Sequence, residues 1–181
     1  MAAISLALKK TDGASFCELP FCHTVEAEAM GGIVNFGNEK IGPRAKEYIY
    51  TKPEELLDLK EMDFSQGRLH EVLLACRHLR QNGENVVLEI AGPFTILNVL
   101  MDIKYVFKAM RKQPELMKQV FWKIGDQLLN YIKEAQKYGV NMISYADPSG
   151  AVSIIGPAMA EQVVESPASS ERKLSKRYSS S

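Results

Sequence analysis

Apolar and polar positions alternate in a way that divides the chain into short apolar runs and longer amphipathic segments. The most informative stretch is VVLEIAGPFTILNVL (86–100), whose first apolar residues predict a strand buried on both faces. Gly92-Pro93 ends that strand, because proline has no N–H for a ladder and suits the first turn of a helix. The apolar residues that follow recur at roughly helical spacing: Phe94, Leu97, Val99, Leu100 and Ile103. This stretch is therefore predicted to be a strand, a sharp turn and a helix.

The same analysis predicts strands and helices in alternation along the rest of the chain. Helices are expected over residues 2–9 (closed by Gly13), 25–30 (capped by Thr24), from 53, over 66–81 (capped by Asp63 or Ser65), at 105–111 and over 114–138. Extended segments are expected at 15–19, 33–36, 47–50 and 141–145, the last as a buried strand. Apolar helix faces are Leu69, Val72, Leu73, Cys76 and Leu79, and then Leu116, Val120, Ile124, Leu128, Tyr131 and Ile132. Such alternation indicates an α/β fold with a parallel sheet or barrel.

The end of the chain has a different composition. A further helix is expected after Pro157, but from Ser166 onward the sequence is SPASSERKLSKRYSSS. A polar, serine-rich segment buries too little apolar surface to order itself. We therefore expect one domain over residues 1–165 and a disordered tail over 166–181.

Composition narrows the classes of function. Twenty-two basic residues balance twenty-two acidic ones among 181, so no net charge favours nucleic acid or an anionic membrane. No apolar run approaches the roughly 20 residues of a membrane helix. The three cysteines are scattered (Cys17, Cys22 and Cys76), which argues against a disulfide framework and for a cytoplasmic protein.

Two carboxylates lie where parallel α/β folds hold their sites, at or near the carboxyl ends of strands. Glu89 interrupts a buried strand, so it is either a catalytic or ligand-binding carboxylate or a structural partner for a buried arginine. Asp147 follows the strand at 141–145; it either contributes to a site or caps the turn after it. Thr95 and Asn98 lie near the start of the helix after Gly92-Pro93, close to the same predicted edge.

Cys22-His23 follows the first predicted strand and could supply a thiolate, a proton donor or a metal ligand. A single Cys-His pair without a second ligand pair is weak evidence for a metal, so substrate contact is the favoured interpretation. Cys76, His70 and His78 are interpreted as structural. Glu26 and Glu28 are interpreted as favouring the start of their helix.

Two longer stretches resemble a known family. LPFCHTVEAEAMGGIVNFG (19–37), and GPFTILNVLM followed by KQPELMKQVFWKIGDQLLNYIKEAQKYGVNMISYADP, are similar to segments of the uroporphyrinogen decarboxylase superfamily. The first stretch is most similar to the cobalamin-dependent, methylcobalamin:coenzyme M methyltransferase-like proteins. The resemblance implies a (β/α)8 barrel with its active site at the carboxyl ends of the strands. It places the substrate-binding candidates at that mouth: Cys22, His23, Glu89, Thr95, Asn98 and Asp147.

The resemblance also implies an activity, the transfer of a methyl group from a methylated corrinoid, as a corrinoid protein or methylcobalamin, to a small thiol. Family methyltransferases hold zinc through a His-x-Cys pair and a later cysteine, which this sequence lacks. Whole barrels need about 250 residues, so we expect a partial barrel truncated at both ends, an internal fragment or truncated product with an unrelated tail. It would hold no metal and be inactive alone.

Two alternatives remain. The chain could be a uroporphyrinogen decarboxylase, but Val99 falls where the decarboxylases carry a tyrosine, and their arginine-containing N-terminal motif has no counterpart. It could instead be a non-catalytic half-barrel that binds a corrinoid partner or self-associates through unpaired strand edges.

Overall fold

The computed structural model describes residues 1–157 and residue 160. Its strands are β1 (Cys17–Leu19), β2 (Ile33–Asn35), β3 (Arg44–Glu47), β4 (Val86–Ala91) and β5 (Met142–Ala146). Its helices are α1 (Ala2–Asp12), α2 (Val25–Ala29), α3 (Gly67–Gln81), α4 (Pro93–Leu100), α5 (Ile103–Lys112), α6 (Pro114–Lys137) and α7 (Val152–Ile155), with 3-10 turns at Pro53–Asp58 and Pro148–Gly150. The predicted alternation of strands and helices is confirmed.

The central sheet has the order β1-β4-β5, and all of its pairs are parallel. Val87 lies opposite Glu18 on β1 and Met142 on β5, while Glu89 lies opposite Ser144. Because side chains alternate between faces along a strand, these residues share one face of the sheet. The other face of β4 carries Val86, Leu88 and Ile90, which are buried. One face therefore carries polar side chains (Glu18, Glu89 and Ser144) beside apolar ones (Val87 and Met142), and the other belongs to the hydrophobic core.

The core is formed where the helices pack against the apolar face of the sheet. All five predicted apolar residues of α3 are buried. Helix α4 is buried along almost its whole length, because it contacts α2, α5, α6 and the β2–β3 hairpin. On α6 the buried positions include Met117 in place of the predicted Leu116. The predicted inward faces of the long amphipathic helices thus agree with the observed ones at nearly every position.

The hairpin formed by β2 and β3 lies outside the parallel sheet. The two strands pair antiparallel and contact α4. Val34 and Ala45 are partly buried against the hydrophobic core, which anchors the hairpin. The hairpin therefore forms a wall beside the carboxyl ends of the parallel strands.

Strand β5 differs from its prediction as a buried strand. Met142, Ile143 and Tyr145 are 37%, 38% and 38% exposed. Within the described residues β5 pairs with β4 only, so it forms an edge of the sheet. The apolar composition of the strand was identified correctly, but burial needs a neighbouring layer that these residues do not provide.

Smaller differences concern helix ends. Gln66 occupies the N-cap of α3, because the Asp63 carboxylate instead accepts hydrogen bonds from Ser65 in the preceding turn. Gly13 closes α1 in the left-handed conformation, with φ 64°, as predicted. Among the described residues, the helices are too short or too polar to span a lipid bilayer. The predicted tail at 166–181 lies outside the described residues, as does most of the helix predicted after Pro157.

Candidate functional site

The carboxyl ends of the three parallel strands meet at one edge of the sheet. Strand β1 leads into the loop that carries Cys22 and His23, β4 ends at Ala91 before α4, and β5 ends at Ala146 before Asp147. Gly92 donates its N–H to the carbonyl of Ala146 at 2.7 Å, which holds the last two ends together. The candidate residues are therefore carried to a common rim by three different strands.

Asp147 caps the helix that follows the neighbouring strand. Its Oδ1 accepts the N–H of Thr95 at 2.8 Å and the Thr95 hydroxyl at 2.6 Å, and its Oδ2 accepts the N–H of Phe94 at 3.2 Å. Burial raises the pKa of the Asp147 carboxyl, while the hydrogen bonds from Thr95 and Phe94 oppose that rise. Both carboxylate oxygens are already occupied, so the geometry makes Asp147 a residue that positions α4.

Two glycines leave room for the Asp147 side chain. A Cβ at Gly92 would collide with the Cβ and carboxylate of Asp147, and a Cβ at Gly150 would lie 2.9 Å from its Cγ. Gly92 has an ordinary φ of −74°, so glycine is needed at this position because of space and not because of backbone conformation. The Gly-Pro turn therefore does more than end β4: it admits the side chain from β5.

His23 and Glu89 form a second pair at this rim. The His23 Nε2 lies 2.9 Å from the Glu89 Oε1, and the two side chains are 38% and 22% exposed. The carboxylate fixes the orientation of the imidazole, as in sites where a histidine exchanges a proton. The pair links the loop after β1 to the middle of β4.

Cys22 belongs to a cluster held by Arg68 from α3. The guanidinium donates to the Cys22 Sγ at 3.4 Å and to the Thr24 Oγ1 at 2.9 Å, and it forms an ion pair with Glu28. Thr24 lies at the N-cap of α2 as predicted, but its side chain makes no capping hydrogen bond. Arg68 therefore fixes the loop after β1 from outside the sheet.

Glu26 lies beneath the same rim. The prediction that this residue only stabilises the start of its helix is wrong. The residue is 1% exposed, and its Oε1 accepts the N–H of Ala91 at 3.0 Å. Its Oε2 is buried without a hydrogen-bond partner among the described residues. Burial raises the pKa of the Glu26 carboxyl, although the Ala91 N–H opposes that effect. Glu26 thus attaches α2 to the end of β4.

A cavity of about 530 Å³ opens between the rim and the β2–β3 hairpin. Helix α4 and the loop that follows β1 line one part of it. There the Asn98 side-chain amide lies 3.3 Å from the Ser149 hydroxyl. The full lining is Phe21, Cys22, His23, Thr24, Gly42, Pro43, Arg44, Ala45, Tyr48, Thr95, Asn98, Val99, Pro148 and Ser149. Its size lies within the ordinary range for small-molecule sites.

The described residues do not provide a metal centre. No group of three or more histidine, cysteine, aspartate or glutamate side chains within 1–157 and 160 could hold a metal ion. Cys76 is fully buried in α3, and burial raises the pKa of its thiol to about 12. His70 contacts the Phe64 carbonyl at 2.8 Å. These last two residues are packed as expected for structural ones.

A family model described as uroporphyrinogen decarboxylase (URO-D) matches residues 1–177. The chain belongs to the uroporphyrinogen decarboxylase family. The family predicted from the motifs quoted above is therefore confirmed.

Two curated relatives, both methylcobamide:CoM methyltransferase MtaA from Methanosarcina barkeri, are 25% identical to this URO-D-family chain over 169 residues. The match covers 92% of this chain and 50% of each relative. A solved methyltransferase from Methanosarcina mazei is similar with a TM-score of 0.80 and 26% identity, over 99% of this chain and 52% of that one. The chain thus spans about half the length of the curated relatives it matches. Its likeness to half of the solved methyltransferase confirms the predicted partial (β/α)8 barrel.

The URO-D fold brings the six predicted site residues to one rim, although their contact with a substrate stays a prediction. Cys22, His23, Thr95 and Asn98 line the cavity, Glu89 pairs with His23, and Asp147 lies behind Thr95. Sequence reasoning missed Glu26, Arg68 and Arg44. The EAEA motif within the quoted family stretch was a signal for Glu26, but no local pattern indicated the two arginines.

Proposed function

We propose that this chain forms part of a corrinoid-dependent methyltransferase that moves a methyl group from a methylated corrinoid to a small thiol. Membership of the URO-D family and likeness to relatives named methylcobamide:CoM methyltransferase support the reaction class. The observation that carries the proposal is one cavity lined by Cys22 and His23, from the loop after β1, and by Thr95 and Asn98, from the helix after β4.

The cavity suits the thiol rather than the corrinoid. A volume of about 530 Å³ encloses a small acceptor, whereas a corrin macrocycle would have to lie across the mouth. Thr95 and Asn98 supply neutral hydrogen-bonding groups on α4, whose position is fixed by Asp147. Val99 adds an apolar wall, which suits the hydrocarbon part of an acceptor.

The pair of His23 and Glu89 has the chemistry needed to activate a thiol. The thiolate is the nucleophilic form of a thiol, so the S–H proton must leave before sulfur attacks the methyl carbon. A ring nitrogen of His23 would accept that proton, and the carboxylate of Glu89, 2.9 Å away, would stabilise the resulting imidazolium. The methyl group then passes to sulfur, and the bonding electron pair stays with the corrinoid.

Zinc takes no step in this proposal. The described residues lack a set of three ligands for a metal ion, so they do not fit the zinc site that the resemblance implies for whole family members. Zinc, when bound elsewhere in a complete barrel, would lower the pKa of the thiol. The residues of this chain would bind and orient the acceptor and receive its proton.

Decarboxylation of a porphyrinogen is the alternative, favoured by the description of the family model. The position at which the decarboxylases carry a tyrosine is Val99, which lines the cavity and is 7% exposed. A valine there offers no hydroxyl to a carboxylated pyrrole. This geometry weighs against the alternative.

The test supplies the half of the Methanosarcina barkeri methyltransferase that this chain does not match, co-expressed with the full chain. We expect methyl transfer from methylcobalamin to 2-mercaptoethanesulfonate by the complex, and none by either half alone. His23→Gln should reduce the rate about a hundredfold or more, as is typical for loss of a general base, whereas His78→Gln at an exposed position near the end of α3 should not. Turnover of uroporphyrinogen without methyl transfer would refute the proposal.

A further inference from the structure

Two cavities meet at His23, and they carry opposite charge. The cavity between the rim and the hairpin is lined by Arg44 and by no carboxylate among the described residues. Its neighbour, about 370 Å³, is lined by Asp12, Glu18 and Glu89. The only lysine among the described residues lining that neighbour, Lys9, forms an ion pair with Glu84. An anionic group is therefore favoured on the hairpin side of His23 and disfavoured on the other.

Arg44 is available for such a group. It lies on β3 at the cavity mouth, and its guanidinium has no hydrogen bond or ion pair to another described residue. The position of its backbone is fixed, because Ala45 packs against the core and the hairpin contacts α4. A guanidinium on a fixed strand presents several N–H donors in a planar fork that matches carboxylate, sulfonate and phosphate oxygens.

The opposite wall of the cavity provides neutral donors. The Asn98 amide and the Ser149 hydroxyl lie 3.3 Å apart, and both line the cavity. The N-terminal N–H groups of α4 are not available to an anion, since the Asp147 carboxylate already accepts from Phe94 and Thr95. The guanidinium is therefore the principal determinant of charge in this cavity.

We propose that Arg44 is the specificity-determining residue of the cavity and selects a small thiol that carries one anionic group, such as a sulfonate or a carboxylate. The anion contacts Arg44 at the mouth, and the thiol end extends toward His23 and Thr95. The assignment of the ligand as a thiol rests on the proposed function, whereas selection of an anion rests on the cavity alone.

The experiment measures equilibrium binding of two thiols to the full chain by isothermal titration calorimetry. The probes are 2-mercaptoethanesulfonate and the neutral 2-mercaptoethanol, with ethanesulfonate as an anion that has no thiol. We expect the wild type to prefer the anionic thiol by about fivefold or more, the size of a partly screened charge pair. Arg44→Gln should abolish the preference and Arg44→Lys should keep part of it. Lys46→Gln, the same change of charge on the same strand outside the cavity lining, should leave it intact.

Equal affinity of the wild type for the two thiols would overturn the proposal, and so would equal loss in the Arg44→Gln and Lys46→Gln variants. If Arg44→Gln does not fold, salt provides a second measurement on the wild type. Raising ionic strength should weaken binding of 2-mercaptoethanesulfonate and ethanesulfonate but not of 2-mercaptoethanol, and the absence of that difference also refutes it. Selective anion binding without methyl transfer by the complemented complex would refute the proposed function alone. Methyl transfer with equal KM for both thiols would refute this inference alone.

Discussion

The Oδ1 oxygen of Asp147 accepts two hydrogen bonds from a single residue, the backbone N–H of Thr95 at 2.8 Å and its hydroxyl at 2.6 Å. Asp147 follows β5 and Thr95 lies in the first turn of α4, so the contact joins two neighbouring βα units. The Thr95 hydroxyl also accepts the N–H of Ser149 at 3.2 Å. One carboxylate therefore sets the relative positions of both segments that line the cavity beside Asn98.

The first prediction concerns this carboxylate. Asp147→Ala leaves the N–H groups of Phe94 and Thr95 without their acceptor and should lower the free energy of unfolding by about 2 kcal/mol, the upper range for losing a helix cap. Asp147→Asn should cost less, because one carbonyl oxygen remains for Thr95. Urea denaturation measures both, and Asp126→Ala, at an exposed position of α6, is the control. An Asp147→Ala variant as stable as the control would contradict the capping role.

The second prediction concerns the space that Gly92 leaves for Asp147. Gly92→Ala places a Cβ against the Asp147 carboxylate, and overpacking of this kind costs about 1–3 kcal/mol. Gly42→Ala is the matched control, because its Cβ meets no atom within 4 Å. We expect a lowered thermal midpoint for the first variant and an unchanged one for the second. Equal midpoints would mean that the turn can shift without disturbing Asp147.

The third prediction uses the buried carboxyl of Glu26. Burial raises its pKa above the ordinary 4.5, so the unfolded chain loses this proton at a lower pH than the folded chain. The contribution of Glu26 to stability is therefore complete below about pH 4.5 and is lost as pH rises through the folded-state pKa, by about 1.4 kcal/mol for each unit of difference.

Glu26→Gln removes that dependence while keeping an oxygen for the Ala91 N–H. The variant should gain stability relative to the wild type between pH 4.5 and 7.5, as measured by urea denaturation at each pH. Asp147, whose pKa is also raised, is present in both proteins and cancels from the comparison. Glu39→Gln, exposed in the loop between β2 and β3, is the control. A constant difference between wild type and Glu26→Gln across this range would contradict the prediction.

The sequence predicted which strand ends carry the site but not how the side chains pair there. Asp147 and Thr95 are 52 residues apart, and their meeting depends on β4 and β5 being neighbours. Parallel order could be inferred from the alternation of elements, whereas a specific hydrogen bond depends on register. The placement of Asp147 near Thr95 was therefore predicted, whereas its role as the cap of α4 was not.

Glu26 and Arg44 show why other parts of the site could not be predicted. A glutamate in the first turn of a helix ordinarily faces solvent, where its negative charge interacts favourably with the helix dipole. The burial of Glu26 therefore follows only from the packing of α2 against the end of β4. Arg44 lies in a polar hairpin whose exposed side chains give no local signal. Its relevance comes from the cavity formed when that hairpin packs against α4.

The last prediction concerns the exposed edge of the sheet at β5. Ile143 is 38% exposed on a strand that pairs only with β4 among the described residues, and such edges favour association between copies. We expect the chain to elute from a size-exclusion column in a concentration-dependent manner. Ile143→Lys should reduce association, because a charged side chain disfavours a second strand at that edge. Ile4→Lys introduces the same change at a residue of α1 that is 57% exposed and should have no effect. A wild type that elutes as a monomer at all concentrations, or an equal effect of both substitutions, would show that β5 does not mediate association.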